Sequence, residues 1–291
     1  MSKARFASFW HGPELSPYEA ACLNSFTAYG SEVTLYSYEP IANLPGGVGA
    51  KDASAILPRD SLNDFPINGV PSMAHFTDYF RYVMFTKTDE IWVDTDVLLL
   101  RDLDLNAKGD LIGKESPTSI CTAVLRLDAD KPELHELIRR VEAMKRTALS
   151  WGATGPRVLT SVYGVKAGLP ESLFYPVHFD DYYKVFLPRY FDECAALCSD
   201  AYTLHLWNNR VVKMGLFKRI GPPAGSFLHH VFAQTGANGL FREFYPANVM
   251  QTMIDNVVEK VGHDEGVRKL LRVGMPMVKS AITRKLGVQQ H

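Results

Sequence analysis

Asp89-Glu90-Ile91-Trp92-Val93-Asp94-Thr95-Asp96-Val97-Leu98-Leu99-Leu100 sets two carboxylates into an otherwise apolar, β-branched run. The run reads as a buried central strand. On a strand Asp94 and Asp96 point to one face and Thr95 to the other. Two ionised carboxylates side by side repel, and their burial is costly without a cation between them. A divalent metal meets both demands. Hard oxygen ligands select Mg²⁺ or Mn²⁺, whose shells are completed by phosphate oxygens and water. The plainer alternative is a strand that ends near Val93 and leaves both aspartates solvated in a turn. The immediate return of apolar residues at Leu98-Leu99-Leu100 argues against it.

The elements around this run predict an α/β fold. Arg5 to Trp10 reads as a first strand. Ser16-Pro17 is a cap and first helical residue for a helix from Pro17 to about Ala28, and Glu32 to Tyr38 alternates as a second strand. This strand–helix–strand opening predicts a parallel sheet. Ile41 to Gly49 is a loop, and Ala53 to Leu62 a short helix. Met73 to Thr86 has helical spacing and leads into the Asp94 run. Asp110 to Lys114 and Ile120 to Leu127 read as strands. Pro132 to Arg146 is an amphipathic helix with Leu134, Leu137, Ile138 and Val141 on one stripe. A short helix to Tyr163 follows. Leu173 to Phe186 reads as extended, and Tyr202 to Leu206 as a strand. A boundary near Pro246 divides a main domain, 1–245, from a helical, basic C-terminal extension, 246–291.

With 291 residues, 46% hydrophobic and 22% charged, the chain has ordinary globular composition. A formal net charge of −1 excludes the basic excess of a nucleic-acid binder. The charge is uneven: Arg268, Lys269, Arg272, Lys279, Arg284 and Lys285 stand without an acid between Gly266 and His291. Mixed with apolar residues, they suit either a solvated face or contact with an anionic membrane surface. Cys22, Cys121, Cys194 and Cys198 form no dense disulfide or zinc pattern and read as buried free thiols. No signal-peptide core and no apolar run of membrane-spanning length occurs. The expected location is cytoplasmic, at the inner face of a membrane if the basic tail docks there.

Other residues suggest a ligand beside the metal. Asp78 and Arg81 are three apart on the helix before the Asp94 run and face one way. They form either an exposed ion pair or, among Phe76, Tyr79, Phe80 and Tyr82, a buried pair that reaches a polar ligand. Trp10 ends the first strand, where ligands of parallel sheets gather; it is a core residue or a platform for a nucleobase. His205 and Trp207 share a strand face, so His205 is either a core histidine or a further metal ligand. Thr154-Gly155-Pro156 says only that the chain turns.

In order, these pieces resemble one family, the DXD-containing sugar transferases. Trp10 in Phe9-Trp10-His11-Gly12 resembles their opening Trp-x-Gly segment. Thr77-Asp78-Tyr79-Phe80-Arg81-Tyr82 resembles their Ser-Asp-x-x-Arg-hydrophobe helix. Ile91 to Val97 resembles the strand that carries Asp-x-Asp, and its first aspartate, Asp94, stands thirteen residues after the arginine. Thr154-Gly155-Pro156 and His205-Leu206-Trp207-Asn208 resemble the later Thr-Gly-Pro and His-x-Trp motifs. The family includes Golgi initiating mannosyltransferases, α-1,4-glycosyltransferases and bacterial capsule enzymes. The resemblance implies a GT-A fold, a Rossmann-like mixed sheet flanked by helices. It also implies a nucleotide-sugar donor, a UDP-sugar rather than a GDP-sugar, with Mn²⁺ or Mg²⁺, and a retaining reaction onto a saccharide or lipid-linked acceptor, as in bacterial polysaccharide synthesis. By position, Trp10 stacks on the base and Asp78 and Arg81 hold donor-sugar hydroxyls. Asp94 contacts ribose or metal-bound water, and Asp96 binds the metal. His205 is a further ligand or a diphosphate contact, Trp207 and Asn208 cap the diphosphate, and Gly155 and Pro156 line the sugar pocket. One departure stands out: the family's Gly-Gly before the Asp-x-Asp strand is here Lys87-Thr88-Asp89-Glu90, which changes the freedom of that turn.

Three other functions compete. A metal-dependent nucleotide-sugar hydrolase expects further carboxylates or histidines for a second metal or a positioned water. A non-catalytic nucleotide-sugar-binding module keeps the motifs without turnover. A two-carboxylate glycosidase needs acid and nucleophile on opposite sides of a sugar, which neighbouring aspartates on one face do not supply.

Overall fold

The computed structural model describes residues 4–103 and 109–257. β1 (Arg5–Phe9) leads through α1 (Pro17–Ala28) to β2 (Glu32–Ser37). The start of α1 is set locally. Ser16 Oγ accepts the Tyr18 N–H as N-cap, and Pro17 takes the first helical position, where a missing N–H costs nothing. There follow β3 (Val48–Asp52), a hairpin of β4 (Pro66–Ile67) and β5 (Val70–Pro71), and α2 (Met73–Phe85). Then come β6 (Ile91–Val93), β7 (Val97–Leu99), β8 (Leu111–Ser116) and β9 (Ser119–Arg126). The rest is mainly helical: α3 (Pro132–Glu142), α4 (Val158–Tyr163), α5 (Glu171–Phe174) and α6 (Phe191–Cys198). After β10 (Thr203–His205) come α7 (Asn208–Lys213), α8 (Phe227–Gln234) and a helical stretch at 247–257. No helix among the described residues is long and apolar enough to cross a membrane.

The main sheet has the order β3-β2-β1-β6-β9-β8. β3, β2, β1 and β6 are parallel, whereas β9 and β8 run antiparallel. This is the Rossmann-like mixed sheet with flanking helices expected of a GT-A fold. Side-chain alternation along each strand builds a core on both faces. Phe6, Ile91 and Val93 enter one core with α1 and the later helices, while Ala7, Phe9 and Trp92 enter the other with α2, α3 and α4. The chain moves outward from β1 to β3 and then crosses back through α2 to β6 on the other side of β1. That reversal opens a crevice at the carboxyl ends of β1 and β6, where Trp10 and Asp94 stand.

Four expectations need correction. β6 ends at Val93, and Asp94 to Asp96 form a turn rather than strand. The apolar run belongs to two sheets, since β6 pairs with β1 and β9 whereas β7 pairs with β10. The chain changes partners at the aspartates, and Val97 N–H closes the turn on Asp94 O at 3.1 Å. Leu173 to Phe186 is not extended: it holds α5 and a 3-10 turn at Tyr182–Phe186, with Phe174, Tyr175 and Phe186 each buried separately. The amphipathic helix stops at Glu142, and Arg146 turns back at φ 57° to donate its N–H to Asp64 O. β3 was absent from the sequence reading because this edge strand is exposed after Val48 and lacks an apolar alternation. The four cysteines are buried free thiols, as expected. Residues 258–291, which hold the basic tail, lie outside the described residues.

The departure at Lys87-Thr88-Asp89-Glu90 has a structural meaning. Glu90 is buried and accepts from Thr34 Oγ1 (2.7 Å), Tyr36 OH (2.9 Å) and Lys51 Nζ (3.2 Å). A carboxylate thereby ties β2 and β3 to the start of β6.

Candidate active site

The Asp94–Asp96 turn lies at the floor of a cleft of about 710 Å³. Asp94, Asp96 and His205 each offer a ligand atom, and these atoms all lie within 4.8 Å of one another. Asp94 is held from two sides: Trp92 Nε1–H donates to its Oδ1 at 2.7 Å and Arg81 Nη1 lies 3.0 Å from the same oxygen. Asp96 Oδ2 lies 3.2 Å from His205 Nε2 and accepts the Asn208 N–H at 2.7 Å. The protein contacts of each carboxylate thus use one oxygen and leave the other for a ligand. Burial alone would push Asp96 up, but His205 and the Asn208 amide, with Lys218 beyond them, hold it down at about 2. Burial pulls His205 down, and Asp96 outweighs it, raising the imidazole above its usual value. His205 Nδ1 is buried with no hydrogen-bond partner. Two carboxylates and one imidazole, whose Nδ1 is otherwise orphaned, form a donor set that fits a divalent cation.

The backbone is bent to make this contact. Trp207 adopts φ 55° and ψ 55°, a left-handed conformation costly for a bulky residue. Its indole donates to Val177 O at 3.0 Å and its ring lies 4.0 Å from that of His205. The turn aims the first amide of α7 at Asp96.

Asp78 and Arg81 are not an exposed pair: they are 7% and 3% exposed. The Arg81 guanidinium lies over the Trp92 ring at 4.6 Å and donates to Thr122 O at 2.6 Å and Thr77 O at 3.1 Å. Asp78 Oδ2 accepts from Thr154 Oγ1 at 2.9 Å, while its Oδ1 lies 3.5 Å from Arg81 Nη2. Burial pushes the Asp78 carboxyl up, against Arg81 and the Thr154 hydroxyl. Arg81 thus fixes Asp94, and Asp78 ties α2 to the Thr154-Gly155-Pro156 segment.

Trp10, Asp78, Arg81, Asp94, Asp96, Pro156, His205, Trp207 and Asn208 line the cleft. Gly155 does not; it is buried against Asp78, whose Oδ2 would lie 2.6 Å from a Cβ at this position. Its place is behind the wall of the cleft rather than on it. The sequence reading left out Trp92, Thr122, Glu115, Trp151 and Arg157, all on the cleft. Trp92 lies two residues before Asp94, a spacing that could have flagged it. Thr122 contributes its backbone carbonyl to Arg81 and its hydroxyl to Asp78 at 3.4 Å, and a lone threonine in a strand carries no signal of either contact.

A family model described as "Alpha 1,4-glycosyltransferase conserved region" matches residues 134–219. The lactosylceramide 4-alpha-galactosyltransferase of Rattus norvegicus is 27% identical over 150 residues, 46% of this chain and 41% of that protein. The human protein of the same name matches equally, at 27% over the same shares. The chain thus spans less than half the length of these curated relatives. Among solved structures, the galactosyltransferase LgtC, in complex with donor and acceptor sugar analogs, has a TM-score of 0.46 at 12% identity, covering 83% of this chain and 97% of that one. The glycosyltransferase GlyE of Streptococcus pneumoniae has a TM-score of 0.43 at 13% identity, covering 89% and 64%. Its conserved region and its sequence relatives make the chain similar to DXD-type glycosyltransferases and support that family for it.

Proposed function

We propose that the protein is a metal-dependent, retaining glycosyltransferase that moves a sugar from a UDP-sugar to a saccharide or lipid-linked acceptor. The observation that carries this reading is the convergence of Asp94, Asp96 and His205 at the floor of a cleft that Trp10 also lines. Asp96, His205 and Asp94 would hold Mn²⁺ or Mg²⁺, which when bound supplies positive charge for a nucleotide diphosphate leaving group. The Trp10 ring offers a stacking face for the base. Asp78 offers a buried carboxylate to donor-sugar hydroxyls, and Arg81 holds Asp94 in register with Asp96. Trp207 and Asn208 close the diphosphate side. In the step we propose, the bond from the anomeric carbon to the phosphate oxygen breaks as the acceptor oxygen bonds to the same face of that carbon. The acceptor's proton passes to the departing phosphate oxygen. Trapping a covalent glycosyl-enzyme would overturn this front-face route.

The relatives are named for galactosyl transfer to lactosylceramide, so UDP-galactose with a glycolipid acceptor is the first pair to try. Use in bacterial capsule or other polysaccharide synthesis, a cytoplasmic location and membrane contact through residues 266–291 belong to the same proposal. Loss of anionic-vesicle binding on deleting those residues would support the contact, and unchanged binding would refute it. The two-metal hydrolase is disfavoured: among the described residues, Asp94, Asp96 and His205 form the single group of His, Cys, Asp and Glu close enough to share an ion. Thermal unfolding with UDP- and GDP-sugars, with Mn²⁺ and with EDTA, tests the reading. A metal-dependent rise with one UDP-sugar, absent in Asp96→Ala, supports it, and no rise with any nucleotide refutes it. Binding without turnover on any acceptor leaves a non-catalytic module.

A further inference from the structure

The wall of the cleft opposite the aspartates has a second side. The turn at Ala153–Arg157 separates the cleft from a groove of about 510 Å³ between α3 and α4. Arg157 lines both spaces. Arg139 and Arg140 line the groove, with side chains 68% and 42% exposed. Both pair with one carboxylate, Glu136, at 2.8 and 2.7 Å. Arg157 donates to Ser150 Oγ at 2.7 Å and forms no ion pair among the described residues. Two guanidiniums therefore share one carboxylate, and the third lines the same groove without one. At the cleft end of the same turn stands Trp151, 59% exposed, its ring backed edge-on by His75 at 6.4 Å.

An indole open at the cleft offers a flat apolar face with a polar edge to a ligand. The C–H face of a sugar ring is apolar and flat, while its hydroxyls stay in water. Guanidiniums in excess beside it suit carboxylate or phosphate, which they bind through paired N–H donors. Resting on the glycosyltransferase reading above, we propose that the 151–157 turn is the acceptor subsite and that the acceptor is an anionic saccharide. One sugar lies on Trp151, and the attached anionic group lies in the groove at Arg157, Arg139 and Arg140. The anion is either a carboxylate of an acidic sugar or the phosphate of a lipid-linked saccharide.

Calorimetric titration of the full-length protein, with UDP and Mn²⁺ present, tests this with three probes: tetragalacturonate, its fully methyl-esterified and uncharged form, and a short-chain alkyl glycosyl diphosphate. The expected result is binding of a charged probe on the order of tenfold tighter than the neutral one, weakened severalfold in about 0.5 M salt. Arg157→Gln, the Arg139→Gln/Arg140→Gln double variant and Trp151→Ala each weaken it by roughly five- to tenfold, and Arg157→Lys restores part of the loss. Tetragalacturonate binding assigns the anion to an acidic sugar, and binding of the diphosphate alone assigns it to a lipid-linked carrier. Equal binding of the neutral probe, no binding of either charged probe, or unchanged affinity in Arg157→Gln overturns the proposal. Titration of UDP and Mn²⁺ into the same protein beforehand reports on the donor reading separately.

Discussion

The two walls of the cleft are built on opposite principles. On the Asp94–Asp96 wall the polar side chains are buried or half-buried and paired: Arg81 is 3% exposed and touches Asp94, Asp78 and Thr122, and Asp96 is held by His205 and Asn208. On the Trp151–Arg157 wall the side chains stand in solvent with few partners. Fixed donors and acceptors cost no reorganisation when charge develops, so the first wall suits chemistry. Open side chains adapt to a ligand that arrives from solution, so the second suits recognition.

Disabling the first wall is the strongest way to break this contrast. On the proposed metal-dependent reading, Asp96→Asn should lower transfer on the order of 10³-fold, since the several kcal/mol of charge stabilisation at a metal would be lost. Initial rates at saturating donor and metal measure it, and a loss below tenfold would remove Asp96 from the chemistry. Arg81→Met leaves buried Asp78 and half-buried Asp94 without their cation and should cost about 3 kcal/mol of stability, read by urea unfolding.

A third test uses pH on metal-free protein. Asp96 is held at about 2 against an ordinary 3.8, so its contribution is present above that ordinary value and lost as pH falls through it towards 2. His205 is raised above 6.5, so its contribution is full below that pH and lost as pH rises through the folded value. Stability should therefore peak in mildly acidic solution, with an acid limb on the order of 2 kcal/mol. Asp96→Asn should flatten both limbs, and a profile unchanged by it would sever the pair. Gly155→Ala joins the two walls by force. Its Cβ would meet Asp78 Oδ2 at 2.6 Å, and such overpacking costs about 1–3 kcal/mol, with donor affinity falling too. The smallest effect belongs to the second wall: Trp151→Ala should shift stability by less than about 0.5 kcal/mol, and a larger loss would show that the indole is structural.

What was legible in the sequence follows the same division. Motifs whose chemistry resides in side chains were readable: Asp94 with Asp96, Asp78 with Arg81, and His205 with Trp207 all reach one cleft. The cap at Ser16-Pro17 and the stripe of Leu134, Leu137 and Val141 were readable because they are local. Features set by distant partners were not. The break at Val93 depends on β7 finding β10, more than a hundred residues later. The aromatic residues around Phe174 and Phe186 fit a strand's composition, but each fills a separate place in the core. Trp151 and Arg157 carried no signal because an exposed tryptophan and an exposed arginine look like any loop.

Gly155 has one further consequence. With only a hydrogen on its α-carbon, it lets the backbone of one wall rest against the carboxylate of the other, so the gap between them is set by the smallest spacer a protein possesses. Any bulkier residue would act as a shim and displace Asp78. The position therefore sets how closely the 153–157 turn approaches α2, a spacing adjustable by a single methyl group.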